Sequence, residues 1–89
     1  SFGEPKIYSY KYKTASDLFL PIEVSLYPKG GTSSVIKNPS LQELESKLKN
    51  YKTIANSDGL SIGLKFDKDV TMGMVQDVKE VIRTTLSDK

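Results

Sequence analysis

The stretch LSIGLKFDKDVTMGMVQDVKEVIR, residues 60–83, changes its hydrophobic period once, and that change decides the fold. Leu60, Ile62, Leu64 and Phe66 alternate with Ser61, Gly63 and Lys65, the period-2 pattern of a strand that buries one face. Asp67, Lys68 and Asp69 then turn the chain, and Thr71 stands where a helix N-cap is wanted. Beyond it Met74, Val75, Val78, Val81 and Ile82 recur at helical spacing and form a single apolar stripe. A strand that feeds an amphipathic helix through a short charged turn implies a sheet with a helix laid over it.

Working outward, the same two periods recur upstream. In NPSLQELESKLKNY, residues 38–51, Ser40 and Glu43 make an S-x-x-E capping box, and Leu41, Leu44, Leu48 and Tyr51 follow on one helical face. Acidic Glu43 and Glu45 come early and Lys47, Lys49 and Lys52 late, as the helix dipole favours. Before this helix, PIEVSLYP (residues 21–28) and TSSVIK (32–37) read as two strands joined by KGG (29–31), whose glycines supply the positive φ of a hairpin. A further strand is expected over Ile7 to Lys13, where Tyr8, Tyr10 and Tyr12 alternate with Ser9, Lys11 and Lys13. The expected fold is therefore α+β, a small mixed β-sheet with two helices packed on one face. The helix between the third and fourth expected strands permits a parallel crossover there.

With 89 residues the chain is a single domain with a small core, so marginal stability or a partner subunit is expected. Thirteen basic and eleven acidic residues leave a net charge of +2, spread rather than gathered into a stripe, which gives no argument for nucleic acid. Cys and His are both absent, and with them the thiolate nucleophile, the imidazole base and the usual transition-metal ligands. No apolar run approaches the roughly 20 residues of a membrane span. Because the first residue is Ser1 rather than Met, the chain reads as a piece of a longer protein, from which a targeting or anchoring segment could have been removed.

Few residues offer chemistry. Asp67 and Asp69 form a carboxylate pair, but Lys65 and Lys68 flank them and Asp is a common turn residue, so a structural role outweighs acid/base or cation-binding work. KGG lacks the spacing of a phosphate-binding loop. Gly73, near the start of the last helix, either permits close packing or a partner's approach or sits in a solvated first turn that tolerates it. The tyrosines suggest a stacking platform for single strands, yet the lysines point to the other face and packing against the domain or another subunit is the stronger reading. Ser and Thr have neither a His base nor a G-x-S-x-G elbow beside them. A non-enzymatic domain without cofactor or metal is expected, and Tyr8, Tyr10, Tyr12, Asp67, Asp69 and Gly73 are the candidate partner-binding residues.

From residue 22 to residue 83 the chain resembles the periplasmic domain of the ExbD/TolR family of biopolymer-transport proteins. IEVSLYP, KGG and TSSVIKNPSLQELESKLKN resemble its hairpin and first helix, and Asp67, Val70, Gly73, Val75, Asp77 and Val78 fall on its strand-end Asp, its turn and its V-x-D-V helix. Residues 1–21 would then be an N-terminal extension with an extra strand. The resemblance implies a homodimer of Gram-negative inner-membrane proteins, anchored upstream of Ser1 with this domain in the periplasm. It also implies an ExbB/TolQ-like membrane subunit and a TonB-like or TolA-like partner through which the proton gradient drives outer-membrane transport. Two features depart from the family. Its members usually follow the last helix with another strand, where this chain has TTLSDK, and their proton-responsive Asp lies in a transmembrane helix that this chain lacks, so no energy-coupling residue carries over. The alternative is a small α/β protein- or nucleic-acid-binding module unrelated to membrane energy transduction.

Overall fold

A computed structural model of the protein describes residues 14–87. Strand β1 runs from Ile22 to Pro28 and strand β2 from Ser34 to Lys37. Between them Gly31 N–H donates to the Pro28 carbonyl at 3.1 Å, with Gly30 at φ 75°, a conformation L residues avoid. Helix α1, Leu41–Leu48, is capped by Ser40, whose hydroxyl accepts the Glu43 N–H at 3.1 Å. The Glu43 carboxylate turns along the helix to Lys47 at 3.2 Å. Strand β3, Leu60–Phe66, and helix α3, Met72–Leu86, complete the fold, with Thr71 capping α3 through the Met74 N–H at 3.1 Å.

The segment after α1 is longer and more broken than the apolar spacing predicts. A tight 3₁₀ turn over Lys49–Tyr51 leads into a second short helix, α2, over Lys52–Asn56. The break falls at Tyr51, whose φ of −108° and ψ of 3° leave the helical region. The end of α2 carries two closing bonds, Asp58 N–H to the Ala55 carbonyl and Gly59 N–H to the Ile54 carbonyl, at 3.0 and 2.9 Å. With Asp58 at φ 58° this is a Schellman motif that holds Asp where Gly is usual.

The strands form one sheet in the order β2-β1-β3, and both pairings are antiparallel. The described strands are thus antiparallel throughout, where the sequence leads one to expect a mixed sheet. β2 and β3 do run in the same direction, as a crossover through helices produces, but β1 lies between them and, among the described residues, no parallel pair is bonded. The strand expected over Ile7 to Lys13 lies outside the described residues.

Ile22, Val24 and Leu26 of β1, Ile36 of β2, Leu41, Leu44 and Leu48 of α1, Val78 of α3 and the preceding Leu20 form a single buried cluster. Burying each such side chain stabilises the fold by about 1.5–3 kcal/mol, so both helices are held to one sheet face. Burial is uneven. Leu60, Ile62, Leu64 and Phe66 of β3 and Met74, Val81, Ile82 and Leu86 of α3 pack against the cluster but stay partly exposed. The opposite face is polar: Lys37, Glu23 and Lys65 stand in one row across the three strands, and Ser25 lies between Val35 and Gly63 in the next.

A strap over residues 14–21 ties the start of the described chain to both long helices. Thr14 N–H donates to the Asp77 carboxylate on α3 at 2.8 Å, and the Ser16 carbonyl accepts the Gln42 N–H on α1 at 3.0 Å. Leu20 N–H then reaches the Pro39 carbonyl at 2.9 Å and its side chain enters the core.

Candidate functional site

The connection from β3 to α3 gathers three of the residues singled out above. Asp67 N–H donates to the Pro21 carbonyl at 2.9 Å, extending the sheet by one bond, and its own carbonyl accepts the Val70 N–H at 3.1 Å. Both Asp67 and Asp69 are exposed, as is Lys68 between them. Gly73 is the second residue of α3 and is half-buried. Asp67 also edges an open groove of about 280 Å³ at the sheet end, beside Glu23, Lys65 and Asn38. Its lining mixes both charges and converges on no ligand. Among the described residues, no group of three or more His, Cys, Asp or Glu side chains could hold a metal ion. Tyr8, Tyr10 and Tyr12 lie outside the described residues.

The more specific chemistry lies in the backbone at the two sheet edges. Lys29 N–H to Gly59 C=O at 2.6 Å and Asp67 N–H to Pro21 C=O extend the β1–β3 ladder at its two ends. In a register that pairs Ile22 with Phe66, those bonds fall on odd-numbered residues. Bonded and non-bonded pairs alternate in an antiparallel ladder, so the N–H and C=O groups of Leu60, Ile62, Leu64 and Phe66 face the outer side of β3. By the same argument Asn38 N–H to Ile22 C=O at 2.8 Å places the β1–β2 bonds on even residues. Val35 and Lys37 therefore present their groups outward from β2. Among the described residues no further strand pairs with either edge.

The β2 edge is flanked by a groove of about 240 Å³ between β2 and the end of α1. Leu26 and Ile36 form its floor, Lys47, Asn50 and Tyr51 the helical wall, and the Ser34 and Tyr51 hydroxyls lie 3.2 Å apart across it. Val35 is about half exposed on the other side of the strand, at 51%. An extended peptide laid beside β2 would bond to Val35 and Lys37 and direct alternate side chains into this groove, the geometry of strand-addition sites.

Strand addition at an unpaired sheet edge is what the sequence reading expects of a partner, but the edge and its outward residues are not legible there, because they belong to the main chain and depend on which strand is central. Its signal was the hairpin itself: once β1 pairs with both neighbours, the alternation dictates the outward residues. Asp77 stood out only as part of a family pattern, whereas its carboxylate holds the strap at Thr14. No helix among the described residues is long and apolar enough to cross a membrane. Comparison of the chain with protein families, with curated proteins and with solved structures finds no match.

Proposed function

We propose that this chain is a non-enzymatic interaction domain of the ExbD/TolR type. In this reading it stands in the periplasm behind an upstream membrane anchor, beside an ExbB/TolQ-like subunit, and passes work from the proton gradient to a TonB-like or TolA-like partner. The observation that carries the reading is the element order. Hairpin, helix, strand and helix follow one another over the residues on which the resemblance rests, and the V-x-D-V segment lies within the first two turns of the helix after β3. The partner is held as an extended segment added to the β2 edge, with one apolar side chain in the groove over Ile36 and an acidic neighbour beside Lys37.

The test is a titration of the isotope-labelled chain with extended TonB-like and TolA-like peptides, followed by amide chemical shifts. Shifts centred on Val35, Lys37 and Tyr51 are expected. Unmoved amides at millimolar peptide would remove the strand-addition mechanism. Fractionation of the parent polypeptide in its native cell tests the rest: recovery from the membrane fraction, with one apolar span upstream, is expected, and a cytoplasmic parent without a span would sink the reading.

A further inference from the structure

The β3 edge is self-complementary. Taken about Gly63, LSIGLKF reads apolar, polar, apolar, glycine, apolar, polar, apolar in either direction. An antiparallel copy centred there sets Leu60 opposite Phe66, Ile62 opposite Leu64 and Ser61 opposite Lys65. The residues brought opposite in the first two pairs are those whose N–H and C=O groups point outward, so the ladder closes without a bulge. Gly63 then meets Gly63 as a non-bonded pair, where strands approach most closely.

We propose that β3 pairs with β3 of a second copy about a two-fold axis through Gly63, making one six-stranded sheet. Three features favour a second copy at this edge. The axis stands perpendicular to the sheet, so both sets of helices share a face, and the partly buried Leu60, Ile62, Leu64 and Phe66 continue from one core into the other. No like charges meet, since Lys65 faces Ser61 and has Glu23 as its other neighbour. Just past the strand ends the same register brings Asp58 toward Lys68 of the second copy, opposite charges on both sides of the axis. The β2 edge offers no equivalent, with two outward residues rather than four and Val35 set against Lys37 in a symmetric pairing. The proposal deepens the energy-transduction reading, whose resemblance implies a homodimer, by naming the edge and the register, and its geometry follows from β3 alone.

Cross-linking tests the register. The chain has no cysteine, so single thiols report unambiguously. A Cβ at Gly63 would sit 3.5 Å from Tyr27 Cε2 and 3.6 Å from Ser25 Cβ, ordinary contact, so G63C should fold. In the proposed pair the two Gly63 Cα atoms are about 4.5 Å apart, inside the disulfide range of about 4.4–6.8 Å. Mild oxidation of the full chain is expected to convert G63C to a covalent dimer while S61C and V35C stay monomeric. Sedimentation equilibrium of the unaltered chain should show the mass doubling from 9.9 kDa as concentration rises. Exchange at the Ile62 and Leu64 amides should slow about tenfold over the same range. Cross-linking of V35C instead of G63C, equal cross-linking of all three variants, or a mass that stays at the monomer value to millimolar concentration would each overturn the proposal. A failed peptide titration at β2 leaves these readouts unchanged, so the two readings fail separately.

Discussion

Ser40 and Asp58 show how single residues start and stop the helical layer. The Ser40 hydroxyl satisfies the Glu43 N–H at the buried start of α1, where Ser40 itself is only 6% exposed. Ser40→Ala should therefore cost about 1 kcal/mol of unfolding free energy, read as a lower urea midpoint at unchanged slope. Asp58 carries the opposite prediction. Its φ of 58° is one that glycine adopts freely, and the bonds that close α2 come from backbone groups. Asp58→Gly should stabilise the chain by about 0.5 kcal/mol in the same measurement, because the relief of left-handed strain exceeds the added freedom of the unfolded chain. Gly59→Ala should do the reverse, since its Cβ would lie 3.2 Å from the Ile54 carbonyl oxygen. The N-cap was legible in the sequence because S-x-x-E is a local signal. The C-cap was less so, since only the turn and not the residue holding positive φ can be read from ANSDG.

At the scale of elements, β1, β3, α1 and α3 were legible wherever one period ran undisturbed for two turns or several residue pairs. The segment from Lys49 to Asn56 was not, because Tyr51 serves two masters, the helix stripe and the hydroxyl contact with Ser34. Strand order was not legible for a different reason. Periodicity reveals that a strand has a buried face, but not which neighbour it bonds, so the crossover between β2 and β3 could be expected while the step over β1 could not. The strap was invisible for the simplest reason, that Thr14 and Asp77 are 63 residues apart. Its prediction is correspondingly specific. Asp77→Ala removes the acceptor for the Thr14 N–H and should raise amide exchange at Thr14 and Gln42 while leaving the β1 amides protected. Asp77→Asn keeps a carbonyl oxygen at the same position and should restore most of that protection. Equal loss in both variants would show that the charge, rather than the hydrogen bond, holds the strap.

For the molecule as a whole, the decisive feature is a core that is dry on one side and half-wet on the other. α1 closes over β1 and β2, where Ile36 is 4% exposed, while α3 and β3 share a border whose apolar side chains remain partly in contact with solvent. Two isoleucines therefore probe the same chemistry on opposite edges of one sheet. Ile36→Ala empties a closed site and should cost about 2–5 kcal/mol at any protein concentration. Ile62→Ala removes a side chain that water already reaches, so in dilute solution its cost should be the smaller of the two, about 1 kcal/mol. If β3 pairs with a second copy, the Ile62 side chain becomes interior as the dimer forms. Association that stabilises the folded state by mass action then makes the parent chain's midpoint rise with concentration, and the Ile62→Ala penalty should grow with it while the Ile36→Ala penalty stays constant. Urea titrations of the parent and both variants at micromolar and near-millimolar concentration separate the cases. A penalty at Ile62 that is independent of concentration would mean that the wet side of the core is simply the surface of a monomer.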